Sequence, residues 1–147
     1  MIRRATIEDV ENLLPLLELL LGIEQDFTFD ATRQKRGLQL LLQQPSAAIF
    51  LAEQDGVVIG MVTGQITIST AEGGLALLVE DLVVAPEYRN KNIARTLLTS
   101  LGNWAQENSA NRMQLLADAN NHKALDFYKK CGWNHTKLIC LRKFNEE

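Results

Sequence analysis

Histidine and cysteine are nearly absent: the 147 residues include only His122, His135, Cys131 and Cys140 of these two types. Two cysteines cannot build a disulfide framework, and in a reducing compartment both stay thiols. The same scarcity leaves no ligand set for zinc and no histidine-based catalytic triad, so no metal is expected. No apolar run approaches the ~20 residues that cross a bilayer, and no leader with a charged start and an apolar middle is present. These absences lead to the expectation of a cytoplasmic protein that does not engage membranes. A basic excess is missing as well. The formal net charge is −3, which argues against a general nucleic-acid surface, although a local basic turn can still hold an anion. What is present, 46% apolar and 22% charged residues, is ordinary for a globular chain and suits one domain over 1–147.

The apolar spacing lays out the elements. A short strand is expected at 1–5, then Thr6 as a helix cap and a stripe of Val10, Leu13, Leu14, Leu17, Leu20 and Leu21 with helical period. Pro15 lies off that stripe and predicts a kink or an early stop, because an interior proline costs about 3 kcal/mol. The stretch 22–30 mixes Glu24, Asp26 and Asp30 with Phe27 and Phe29, the composition of a solvated loop or of an acidic wall that attracts an ammonium group. A second helix is expected over 31–44, ended by Pro45. Three strands follow at 47–53, 57–70 and 75–84. Asp55-Gly56 and Gly73-Gly74 supply their turns and make them an antiparallel meander. Gly60 and Gly64 predict close backbone approach or a bulge, and Gln65 is a candidate buried amide facing a substrate. A long helix, a strand at 112–117, a helix from Asn121 to a stop at Gly132, and a last strand at 136–144 complete an α/β fold around a mixed sheet.

The chain turns on 80–95, EDLVVAPEYRNKNIAR. An acidic pair, Glu80 and Asp81, interrupts a Leu/Val-rich strand, where burying a charge needs a reason. A basic turn then leads abruptly into a one-faced helix. Backbone N–H groups at a helix start, flanked by Arg89, Lys91 and Arg95, suit phosphates. This stretch resembles the acetyl-CoA-binding motif of the GCN5-related N-acetyltransferases, which is Gln or Arg, two residues, Gly, one residue, then Gly or Ala. Here it reads Arg89, Asn90, Lys91, Asn92, Ile93, Ala94. Asn92 stands where the family has its first glycine, and asparagine is the non-glycine residue most at ease in the left-handed region. A second patch at 115–133 is similar to the family's other signature through Asn121, Ala124, Phe127, Tyr128, Gly132 and Trp133. The order of elements is also the family's: β-α-α-β-β-β-α-β-α-β, a mostly antiparallel mixed sheet with helices on both faces.

The resemblance implies direct acetyl transfer from acetyl-CoA to a primary amine of a small cationic molecule or a protein, without a metal and often as a homodimer. An ammonium of pKa about 10.4 must lose its proton first. Glu80 is the candidate base, acting through a water and sharing a strand face with Leu82 and Val84 by the two-residue period; Asp81, expected on the opposite face, is the fallback. By resemblance, the backbone N–H of Leu82 receives the thioester oxygen, Val83 and Val84 line the pantetheine arm, and Arg89 to Arg95 (with Asn90, Lys91, Asn92, Ile93 and Ala94) hold the diphosphate. Asn121 bonds the cofactor, and Tyr128 protonates the leaving thiolate. Asp26, Phe27, Asp30 and Gln65 are the candidate acceptor contacts. The alternative is a non-catalytic acyl-CoA-binding regulatory module that keeps the fold.

Overall fold

The computed structural model describes residues 1–24 and 26–145. Its contacts divide the chain into two compact units, 1–115 and 116–147.

The first unit is built on a five-stranded sheet in the order β1-β2-β3-β4-β5, formed by β1 (Ile2–Arg4), β2 (Ala47–Gln54), β3 (Val57–Ser69), β4 (Gly74–Val84) and β5 (Ala110–Leu115). The first three pairings are antiparallel and β4 with β5 is parallel. Asp55 and Gly56 both adopt positive φ, 51° and 77°, the geometry that a two-residue hairpin between right-twisted strands demands. Helices α1 (Val10–Glu24) and α2 (Ala31–Leu42) cover one face, and α3 (Ile93–Glu107) covers the other. The α1 face buries Leu13, Leu17 and Leu38 with Ile49, Leu51, Met61 and Val83 in one cluster. On the α3 face the strands come close enough that a Cβ on Gly64 would lie 2.8 Å from Leu101 Cδ1, and one on Gly60 3.2 Å from Leu97 Cδ1. The two glycines therefore serve close helix–sheet packing. Arg4 stacks between the rings of Phe50 and Trp104, 5.6 and 5.5 Å from their centroids.

Entry into α1 is fixed by charge. The Thr6 N–H donates to Asp9 Oδ2 at 2.7 Å, and Arg3 clasps the same carboxylate through two nitrogens at 2.9 and 2.8 Å. Paired donors of this kind hold Asp9 well below the ordinary carboxylate range, at about 2. The expected kink or early stop does not shorten α1, which runs through an exposed Pro15 to Glu24. The ring faces solvent, where the carbonyl that loses its helical partner can bond water instead.

The second unit contains α4 (His122–Lys130). Asn121 caps it by accepting from Ala124 N at 3.1 Å, and Gly132, at φ 93°, ends it. The expected last strand at 136–144 is not formed among the described residues. Its apolar run leaves Leu138, Ile139 and Leu141 more than 79% exposed, at 83%, 80% and 86%. Such a run has the propensity of a strand buried on both sides, but propensity is expressed only where a ladder partner and covering surfaces exist.

Candidate active site

β4 does not continue the simple alternation that the sequence suggests. Gly64 pairs with Val79 and Thr63 with Glu80, yet Met61 pairs with Val83, so β4 holds one extra residue opposite Val62. Asp81 absorbs it by adopting φ 53°, a bulge with its extra residue in the left-handed region. The faces before and after the bulge are fixed by contacts. Gly64 meets Leu77 and Leu101, and Gly60 meets Val84 and Leu97, so Leu77 and Val84 both face α3, as an extra residue requires. Two expectations are therefore corrected: Glu80 does not share a face with Val84, and Asp81 does not point away from Glu80. The bulge turns both carboxylates toward the α1–α2 side.

There they floor a cleft of about 470 Å³ whose walls are Leu17 and Leu21 of α1 and Arg33, Gly37, Leu38 and Leu41 of α2, with Gln65 beside the acids. The buried Thr63 hydroxyl donates to Asp81 Oδ2 at 2.9 Å. Burial pushes the Asp81 carboxyl above its ordinary value, partly offset by that hydrogen bond. Glu80 is the more exposed of the two acids. Burial, and then the neighbouring Asp81, raise its pKa too. A carboxylate with raised pKa accepts a proton more readily, which is what a general base near neutral pH needs.

Beyond the bulge β4 outruns its neighbour. Pairing with β5 ends at Val79 opposite Leu115, and among the described residues no strand pairs with 80–84 on that side. The Ala85 N–H donates to Ile59 O of β3 at 2.8 Å. By the two-residue period, Val83 also points to β3, and the amides of Leu82 and Val84 point to the open edge. The Val84 carbonyl on that edge accepts from Arg89 Nε at 3.0 Å, so this arginine braces the strand end.

The basic turn uses two left-handed residues. Asn90 and Asn92 both have φ of 63°, and Asn92 is the N-cap residue just before α3 but makes no capping hydrogen bond through its side chain. The Asp30 and Asn121 side chains do cap α2 and α4. Among the described residues no side-chain oxygen bonds the first-turn N–H groups of α3, at Ile93, Ala94 and Arg95, at the positive end of the helix. Lys91 Nζ lies 5.6 Å from the centroid of the Tyr88 ring.

The remaining candidates fall elsewhere. Asp30 accepts from Thr32 N and Arg33 N at 3.1 and 3.4 Å, so its carboxylate serves α2, and neither it nor Asp26 or Phe27 lines the cleft. Tyr128, half-buried in the second unit, meets Phe127 and Trp133 edge-on at 5.4 and 6.0 Å. The α2 wall of the cleft, Arg33 and Gly37 above all, was not recognisable in the sequence as part of a site; the i, i+4 recurrence of 33, 37 and 41 was the available signal.

Residues 16–133 match the family described as acetyltransferase (GNAT) family. The chain belongs to that family. It is thereby placed among the acyltransferases. A Bacillus subtilis protein carrying the provisional name of a ribosomal protein bS18-alanine N-acetyltransferase is 30% identical over 92 residues, which span 63% of this chain and 57% of that protein, a little over half its length. An uncharacterised N-acetyltransferase of the same organism, YhfO, is 26% identical over 90% of this chain and 88% of its own. The fold matches that of the aminoglycoside N-acetyltransferase AAC(6')-Iy, solved in complex with CoA, with a TM-score of 0.86 at 19% identity over 98% of this chain and 93% of that one.

Proposed function

We propose that this GNAT protein transfers the acetyl group of acetyl-CoA directly to a primary amine, as a single domain over 1–147. The observation that carries the reading is the open edge of β4 between Glu80 and Val84, flanked by a two-carboxylate cleft on one side and by the uncapped start of α3 in sequence after it. In this account the α3 amides, with Arg89, Lys91 and Arg95, hold the diphosphate. The Leu82 and Val84 amides bond the thioester and pantetheine groups much as an added strand would. A protein of the same fold was solved in complex with CoA, which supports CoA as the cofactor class.

The amine enters the cleft as an ammonium, and the two carboxylates favour that charge. Glu80 takes its proton through a water. The free amine attacks the thioester carbon, and the oxygen gains charge against the Leu82 N–H, a donor of a kind worth about 3 kcal/mol in the transition state. As the intermediate collapses, the C–S bond breaks, Tyr128, which occupies the family's tyrosine position, gives its proton to the CoA sulfur, and the surplus proton on the attacking nitrogen is released to solvent, from which the phenol is restored. Gln65 orients the acceptor, and Asp26 and Phe27, which do not line the cleft, are assigned as its outer contacts. Asn121, while capping α4, also bonds the cofactor.

The reading is tested by two conservative variants. Glu80→Gln is expected to lower kcat/KM by about 10²–10⁴ with acetyl-CoA affinity unchanged, and Tyr128→Phe to lower kcat with the same unchanged affinity. Loss of acetyl-CoA binding in both, with no effect on turnover per bound complex, would contradict the assigned roles. A non-catalytic acyl-CoA-binding module would have no turnover to lose.

A further inference from the structure

Gly37 sits in the interior of α2, where glycine weakens a helix relative to alanine because it surrenders more backbone freedom on folding. Such a glycine is usually explained by a collision that a side chain would cause, as at Gly60 and Gly64, or by a positive φ, as at Gly56 and Gly132. Neither holds at Gly37. Its φ is not in the left-handed region, and apart from its chain neighbours and its own helix backbone no atom lies within 4 Å of the point where its Cβ would stand. The space left by the missing side chain belongs instead to the cleft, which Gly37 lines between Arg33 and Leu41, one helical turn to either side.

We infer that Gly37 is a specificity residue that sets the width of the acceptor cleft, and that the acceptor is a primary amine on a mostly apolar body of short-peptide bulk rather than a slender alkyl amine. This rests on the acetylation reading above. The cleft's ~470 Å³ falls in the range that houses drug-sized ligands, roughly 300–1,000 Å³. Its walls, Leu17, Leu21 and Leu41, offer apolar surface, while Gln44 and Gln65 offer amides that can pair with a peptide backbone. Glu80 and Asp81 at the floor receive the ammonium. A narrow linear amine would reach them without needing the volume that Gly37 yields.

The test uses two probes, the tripeptide amide Ala-Leu-Ala-NH2 and n-butylamine, titrated calorimetrically into the full chain and into Gly37→Leu and Gly37→Gln. Both substitutions are good helix formers entering open space, and circular dichroism checks that each variant folds. The tripeptide is expected to bind the parent protein and to lose about tenfold or more in affinity in both variants, the scale on which a filled pocket discriminates, while n-butylamine changes less than about twofold. Tripeptide affinity unchanged by both substitutions, or no tripeptide binding to the parent, would overturn the inference. Thiol release from acetyl-CoA is read in the same samples. Tripeptide binding that the variants abolish, with no thiol released in any sample, would sink the acetylation reading and leave the width assignment standing; thiol release indifferent to Gly37 would do the reverse.

Discussion

Asp81 is the residue at which local strain and chemistry meet. A non-glycine residue at φ 53° carries a backbone cost of about 1–3 kcal/mol, and its carboxylate is additionally buried against a like charge. Both costs are met at the one place where the strand must turn two acids into the same cleft. Because burial raises the Asp81 pKa above its unfolded value, the folded state holds its proton more tightly, so stability falls as pH rises from the unfolded value through the folded one. Asp81→Asn keeps an acceptor for the Thr63 hydroxyl and tolerates the left-handed region, but it removes the charge. Its melting temperature is therefore expected to exceed the parent's at pH 7, with the gain vanishing below about pH 4; thermal scans across pH read this directly. The same variant takes away the neighbour that raises Glu80. The acidic limb of kcat/KM should move to lower pH in Asp81→Asn.

Elements, rather than residues, determine how much of this was legible. The meander, its Asp-Gly turn and the left-handed Asn92 follow from local chemistry that a sequence displays openly, since only a few residue types accept positive φ. The sequence pointed to a bulge only at Gly60 and Gly64 of the neighbouring strand and not at Asp81, and a single extra residue reverses every face assignment after it. The strand expected at 136–144 failed for a related reason: a run of apolar residues records propensity but not whether a partner edge is in reach. Two element-level predictions follow from the caps and clasps. Asn92→Gly should keep or tighten acetyl-CoA binding. Asn92→Val, β-branched at a left-handed position, should weaken it by about tenfold or more through a cost of 1–2 kcal/mol, as measured by titration calorimetry. Asp9 joins β1, the turn before α1 and, through Arg3, Glu53 of β2. With its pKa lowered from 3.8 to about 2, its contribution is present above the unfolded value and is lost as pH falls through the folded one. Asp9→Asn should cost about 1–2 kcal/mol at pH 7, discounted for the partly exposed Arg3, and progressively less toward pH 2 in urea unfolding.

On the scale of the whole molecule, a chain of net charge −3 is proposed to bind an anionic cofactor and a cationic amine, and it can do so only by separating its charges. The basic turn and uncapped α3 start lie after β4, while the acids lie within it. The sequence already set this division out, because Glu80-Asp81 and Arg89 to Arg95 are distinct clusters along one stretch. What it did not disclose was the α1–α2 wall that gives the acids a cleft, since those leucines read equally well as core. Family membership accounts for the architecture, and the proposed acceptor chemistry rests on the cleft beside the bulge. The most direct test of the central claim is calorimetric titration of the purified protein with acetyl-CoA, followed in the same preparation by thiol release against a panel of peptide and small-molecule amines. Binding with amine-dependent thiol release is the predicted result. An absence of acetyl-CoA binding would contradict the account, because it would mean that Asn92 does not support the phosphate-binding turn on which the whole reading depends.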